Sequence, residues 1–371
     1  MKKPKIYRGK YSSPPQDAEY GSHASSERRE NASDYHFAKI FISVLILLIA
    51  SMAVIFFSIV NGRNVPAFSD QGSASSQVTR PTIDPTVDPP YATEPTKDSY
   101  LPIGNGTGLG GAGLYSEYAI LVDVSDMSAL ARKDPDTPIY PASMTKIMTV
   151  VVACDLIPDL NDTYVIKKSV LNQMPYGASS AWLKDFVGKT VTVKDLLYGV
   201  TYKSGADAVL SLIDYLGLST EQFVSLMNQK AQELGLSSTH FGGPIGMDDE
   251  NNRTTCREMA AIMAYAMENP LCRELFGGDE YRLSNIDMTY YHLTLVTTIS
   301  ERMGKSPSTL VNGYTVIAAK SGYEDKAGHC LCSYIRNNAT GECFVLVTAH
   351  SDGDKTNPIG DIIRVLNNIK P

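Results

Sequence analysis

Tryptophan and cysteine are scarce in this chain, with one Trp and six Cys in 371 residues. No C-x-x-C pair and no His-Cys spacing occurs, which removes the usual zinc ligand sets, and nothing else in the sequence implies a metal or cofactor. Basic blocks are missing from the C-terminal two thirds and the net charge is −7, so there is no electrostatic basis for binding nucleic acid. No repeat of 20 to 50 residues is visible, which argues against solenoids and propellers. What is present is ample apolar content, 43% hydrophobic against 20% charged. That excludes a wholly disordered chain and allows one large domain or two ordinary ones.

Twenty-one residues from Ile40 to Val60 carry no formal charge. As a helix they suffice to cross a hydrocarbon core of about 30 Å. The preceding tail, residues 1–39, holds Lys2, Lys3, Lys5, Arg8, Lys10, Arg28, Arg29 and Lys39, whereas only Arg63 follows closely. This bias predicts a single-pass signal anchor in a bacterial cytoplasmic membrane, with the N-terminus inside and the remainder outside. A cleaved signal peptide is the rival reading, with "VPA" ending at Ala67 as its best cleavage site. Residues 61–113 are rich in Pro, Gly, Ser and Thr and lack any hydrophobic period, so they read as an extracytoplasmic linker.

Residues 114–371 read as one α/β (α+β) domain. "EYAILVDVSD" and "ALARKD" predict a hairpin. Helical segments follow, among them "VKDLLYGVTY", "GADAVLSLIDYLG" and "STEQFVSLMNQKAQELGL", the last opened by Ser219 with Gln222 three residues on. Strands then return in "YTVIAAKSGYE", "GHCLCSYIRN" and "ECFVLVTAHS", before a closing helix "IGDIIRVLNNI". Strands at both ends imply an antiparallel sheet flanked by helices, with a helical subdomain inserted between its N- and C-terminal strands. All six cysteines lie on the external side; Cys154 reads as a small core residue, and either Cys330 or Cys332 is placed to oppose Cys343.

The charge in the apolar run "SMTKIMTVVV" is the first chemical clue. Ser143 and Lys146 stand three residues apart, on one side of a helix. A serine hydroxyl becomes nucleophilic beside a base, and a lysine is a base only when unprotonated. The plain alternative is a helix start, with Ser143 as N-cap and Lys146 in solvent. Two further triplets, Ser204-Gly205-Ala206 between helical segments and Lys320-Ser321-Gly322 late in a strand, give the pair its context.

S-x-x-K, S-D-N and K-T-G occur together in penicillin-binding proteins and class A β-lactamases. With the flanks "YPASMTKIMT", "YGASSAWL", "THFGGPIGMDDENNRTTCREMA" and "AAKSGYEDKAGHCLCSYIR", the domain resembles the D-alanyl-D-alanine carboxypeptidases, the low-molecular-mass penicillin-binding proteins of peptidase family S11. The resemblance implies a β-lactamase/penicillin-binding-protein-like fold and removal of the terminal D-alanine from peptidoglycan stem peptides. Ser143 would attack the carbonyl between the two D-alanines, Lys146 would take its proton, and Ser204 would relay protons to the leaving amine. Lys320 and the Ser321 hydroxyl would hold the terminal carboxylate, with Lys320 also keeping Lys146 neutral. The backbone N–H groups of Ser143 and Tyr323 would form the oxyanion hole, and Gly322 would leave room for the substrate to pair edge-on with the strand. β-Lactam antibiotics would be covalent inhibitors.

Departures from the family pattern open other readings. Ala206 stands where the second motif usually has Asn, Ser321 replaces Thr, Gly243 replaces the Asn of H-F-x-N-P, and no β-rich C-terminal domain follows. Asp207 is expected to point away from the site. A pseudoenzyme that binds peptidoglycan or scaffolds other proteins is therefore the second hypothesis. A β-lactamase is the third, although Glu280, the nearest candidate for its deacylating glutamate, has the wrong spacing. His240, His329 and His350 match no ligand spacing, Asp248 to Glu250 read as a solvated acidic turn, and Trp182 reads as core rather than as a sugar platform.

Overall fold

The computed structural model describes residues 90–284, 294–303 and 313–368. Its strands are β1 (Thr107–Gly108), β2 (Ser116–Asp123), β3 (Ala129–Lys133), β4 (Thr163–Val165), β5 (Thr190–Thr192), β6 (Glu280–Arg282), β7 (Thr294–Val296), β8 (Tyr314–Glu324), β9 (Gly328–Asn337) and β10 (Cys343–Ser351). Its helices are α1 (Lys146–Cys154), α2 (Lys168–Leu171), α3 (Val193–Tyr202), α4 (Ala206–Tyr215), α5 (Thr220–Glu233), α6 (Cys256–Ala266), α7 (Pro270–Phe276), α8 (Thr298–Met303) and α9 (Asn357–Asn368).

Six strands make the main sheet, in the order β1-β3-β2-β10-β9-β8. The expected hairpin forms, with Leu121 opposite Ala131, and β10 returns beside β2 with Leu346 opposite Leu121. The two ends of the domain are thus joined by backbone pairing. The sheet is mixed rather than purely antiparallel, because β1 runs parallel to β3.

Both faces of the sheet are covered. One carries α9, which packs Ile359, Ile362, Val365 and Leu366 on Leu121, Leu331 and Leu346. Asp361 of that helix is fully buried and accepts the backbone N–H of Tyr115 and Ser116, which fixes where β2 begins. The other face carries the helical lobe. Every residue of α6 except Arg257 is buried, and α1 is buried throughout, as expected of helices apolar on all sides. Reciprocal capping boxes start α3 at Thr192/Asp195 and α5 at Ser219/Gln222.

The linker stops sooner than its composition suggests. Residues 90–113 pack on the domain: Tyr100 is buried edge-on against Tyr265, with ring centroids 5.2 Å apart, and Leu109 joins the core beneath α9. Thr93 donates its N–H to Asp155 and accepts from the Tyr265 hydroxyl, while Asn269 donates to the Tyr91 carbonyl. A few anchors suffice to order a stretch otherwise rich in Gly, Ser and Thr.

The cysteine expectation is also corrected. Cys343 lies opposite Arg336, and Cys332 faces Val347, so neither Cys330 nor Cys332 opposes Cys343. All six thiols are free; those of Cys154 and Cys272 lie 3.9 Å apart in the core. Among the described residues no helix is long and apolar enough to cross a membrane; the span expected at residues 40–60 lies outside them.

Candidate active site

The turn that carries Ser143 is built under backbone strain. Ala142 adopts φ +46°, an uncommon region for a residue with a side chain, and opens a 3-10 turn, Ala142–Thr145, that runs into α1. Ser143 is the half-exposed residue of this turn, and it caps no helix. Lys146 lies behind it at 1% exposure. Its Nζ sits 3.0 Å from Ser143 Oγ and donates to the Ile245 carbonyl at 2.5 Å.

The segment around Ile245 buttresses this turn in a way the sequence did not reveal. Thr149 Oγ1 donates to the Pro244 carbonyl, and Asn252 Nδ2 donates to Thr145 Oγ1. Gly246 has φ +75°, and a Cβ there would fall 2.0 Å from the Ala142 carbonyl oxygen. Only glycine permits that approach. The acidic turn beside it holds structure: Asp248 accepts from Lys326 N, Asp249 from Asn251 N, and Glu250 pairs with Arg253 and Lys326. Among the described residues no cluster of His, Cys, Asp and Glu is arranged to hold a metal ion.

The second triplet reaches the site through another strained residue. Ser204, at φ +56°, turns the chain between α3 and α4, and its Oγ accepts from Lys320 Nζ at 3.0 Å. Ala206 is buried at 1% exposure and offers no polar atom beyond its backbone. Asp207 turns its carboxylate toward the loop 179–183 and makes no hydrogen bond to Ser143, Lys146 or Lys320. It is buried, and it accepts from Ser180 Oγ and from the backbone N–H of Ala181, Leu183 and Ala208. It thereby fixes the loop 179–183, whose Ser179 Oγ donates to the Ser204 carbonyl at 2.5 Å.

Strand β8 supplies the third wall. Among the described residues it pairs only with β9, so its other edge is open in the sheet. Lys320 and Ser321 are buried, whereas Tyr323 is half-exposed and points out beside His329. Ser321 Oγ lies 2.9 Å from Thr298 Oγ1 on α8, a partner no motif announces. Gly322 has a packing role toward the serine turn. A Cβ there would meet Ala142 Cβ at 2.9 Å and Ser143 N at 3.0 Å, so the space it leaves is filled by the serine's own turn. The consequence is close approach of the Ser143 N–H to the strand at Gly322 and Tyr323.

Burial sets the electrostatics. Desolvation pushes Lys146 down to about 7, partly opposed by the carboxylates of Glu324 and Asp207. Lys320 is driven well below the ordinary lysine range, first by burial and then by the positive charges of Lys146 and Arg302. The two lysines repel one another when both are charged, so the pair disfavours double protonation. Burial is the main cause of the lowering at Lys146. Glu324 itself is raised by burial and by nearby Asp248.

Trp182 is the plainest reversal. It is 55% exposed and adopts φ +68° instead of joining the core.

The profile of the D-alanyl-D-alanine carboxypeptidase family S11 matches residues 111–350. The carboxypeptidase DacF of Bacillus subtilis is 31% identical over 218 residues, covering 57% of this chain and 52% of that protein. A D-alanyl-D-alanine carboxypeptidase of Streptomyces sp. K15 is 31% identical over 213 residues, 55% of this chain and 70% of its own. The chain spans about half the length of the DacF and DacA relatives it matches. Among solved structures, a mutant of the Streptomyces K15 DD-transpeptidase superposes with a TM-score of 0.59 at 25% identity, covering 68% of this chain and 97% of that one. A carboxypeptidase from Mycobacterium tuberculosis, 23% identical with a TM-score of 0.56 over 77% of this chain and 97% of that one, shares the fold.

Proposed function

The chain belongs to the D-alanyl-D-alanine carboxypeptidase family, peptidase S11, and on that premise we propose that it is a serine DD-carboxypeptidase of peptidoglycan stem peptides. The observation that carries the reading is the Ser143–Lys146 contact at 3.0 Å, with the lysine buried and pushed down to about 7. A base poised near the working pH is what proton abstraction from a serine requires.

Ser143 Oγ attacks the carbonyl between the two terminal D-alanines while Lys146 takes its proton. The peptide C–N bond breaks, the acyl group stays on Ser143 as an ester, and the D-alanine amine leaves with a proton relayed through Ser204. Water then hydrolyses the ester and restores the serine. Lys320 and Ser321 hold the terminal carboxylate of the substrate. That carboxylate favours the charged form of Lys320, whose repulsion then reinforces the neutrality of Lys146. The N–H groups of Ser143 and Tyr323 face the developing oxyanion, a contribution of about 3–4 kcal/mol per donor in comparable sites. β-Lactams, which carry a carboxylate and a strained amide, enter the same site.

We place this activity outside a bacterial cytoplasmic membrane, with residues 40–60 as the anchor and residues 61–89 as the tether. A coil of that length spans on the order of 30 Å.

Ala206 favours one second reading, a catalytically weakened module that binds peptidoglycan. It offers neither a donor to the substrate amide nor an acceptor to Lys146. The two readings separate when the full chain, in detergent, is incubated with a fluorescent penicillin and a peptide ending in D-Ala-D-Ala. A covalent label that disappears in Ser143→Ala, with release of D-alanine, supports the carboxypeptidase; no label and no release support the weakened module.

A further inference from the structure

The sole tryptophan of the chain is held in the open on a loop that packs against the Ser204 turn. Loop 179–183 contacts the Ser204 turn twice, through Ser179 Oγ to the Ser204 carbonyl and through Ala206 N to the Ser179 carbonyl. Trp182 follows Ser179 by three residues and so lies within about 11 Å of it. The buried carboxylate of Asp207 accepts the N–H groups on both sides of Trp182, at Ala181 and Leu183, and Ser180 Oγ accepts the N–H of Trp182 itself. These bonds fix Trp182 in a left-handed conformation that is rare for a bulky side chain, with its indole 55% exposed. Asp207, which follows Ala206, therefore holds an exposed aromatic residue on the loop that packs against the Ser204 turn.

We infer that Trp182 is a saccharide-stacking residue that receives the glycan end of the substrate. The inference rests on the carboxypeptidase reading, because it takes the substrate to be a stem peptide whose far end is an N-acetylated sugar. Lys320 and Ser321 anchor the carboxylate end, and an extended pentapeptide reaches on the order of 17 Å from there, longer than the bound of about 11 Å between Ser179 and Trp182. A sugar ring offers an apolar C–H face bordered by hydroxyl and acetamido groups, which suits an indole that is apolar yet half in water. Lys184 Nζ lies 5.5 Å from the Trp182 ring centroid, and the residue is still 55% exposed. That ammonium also disfavours a second cation, so the basic side chain of a stem peptide is a poorer occupant than a neutral sugar.

Because Trp182 is the one indole present, its emission reports directly on the site. The full chain in detergent is titrated with a disaccharide-pentapeptide, with the free pentapeptide and with the disaccharide alone, and D-alanine release is measured for the two peptides. Both saccharide ligands should shift and partly quench the emission. The kcat/KM of the disaccharide-pentapeptide should exceed that of the free pentapeptide by about 5- to 10-fold, in KM rather than kcat. Trp182→Ala should bring that ratio to about one, and Trp182→Tyr should restore most of it; circular dichroism checks that both variants fold. A ratio unchanged by Trp182→Ala, or an emission unchanged at saturating saccharide, overturns the inference. If neither peptide releases D-alanine the catalytic reading fails instead, and the disaccharide titration still decides the fate of Trp182.

Discussion

Acylation of Ser143 should depend on pH through Lys146. Moving that lysine from its ordinary 10.5 to about 7 by burial corresponds to roughly 5 kcal/mol against the charged form. The sign follows from proton counting. Between about pH 7 and 10.5 the unfolded chain binds a proton here that the folded chain does not, so this group's contribution to stability rises with pH across that window and its full penalty applies below it. The reaction rate follows the neutral fraction. It should be near its plateau at pH 8, half-maximal near 7, and about 100-fold slower at pH 5. Glu324 supplies an internal control, since its charge raises Lys146; Glu324→Gln should move the acid limb to lower pH. Stopped-flow acylation by a fluorescent penicillin between pH 5 and 9 measures both. A rate flat across this range, or one that rises on acidification, refutes Lys146 as the neutral base.

Other substitutions test the supports of the site. Gly322→Ala places a Cβ 2.9 Å from Ala142 Cβ and 3.0 Å from Ser143 N; it should cost about 1–3 kcal/mol by overpacking and slow acylation about 100-fold by displacing the serine from the strand. A normal acylation rate in that variant contradicts the close approach. Asp207→Asn faces backbone N–H donors with an amide in place of a carboxylate and should cost roughly 1–3 kcal/mol in urea unfolding. Tyr100→Ala empties a buried position under residues 90–113 and should lower stability by about 3–5 kcal/mol, read by calorimetry. A loss well below 1 kcal/mol would show that this segment is not part of the folded domain.

Local pattern made much of the architecture legible. The hairpin at β2 and β3, helices α3 to α5 and the β8-β9-β10 meander carry their periodicity in the sequence, α5 carries its capping box as well, and the three triplets are linear motifs. Tertiary relations were not legible. Trp182 is exposed because Asp207, twenty-five residues later, binds the backbone on either side of it. Gly246 matters because its Cα packs on a carbonyl a hundred residues earlier in the chain. Thr298 has no motif, and its contact with Ser321 depends on the placement of α8 against β8. The composition of residues 90–113 concealed Tyr100 and Leu109, two apolar anchors in a background of turn-forming residues.

The central claim is that Ser143 is acylated by a D-Ala-D-Ala peptide with Lys146 as its base, and intact-protein mass spectrometry during turnover tests it most directly. The full chain quenched in acid should carry a peptidyl ester that maps to Ser143, with one D-alanine released per ester in the first turnover; Lys146→Arg, which remains charged, should form none. An ester at another residue, or release of D-alanine by Ser143→Ala at the wild-type rate, would contradict the account.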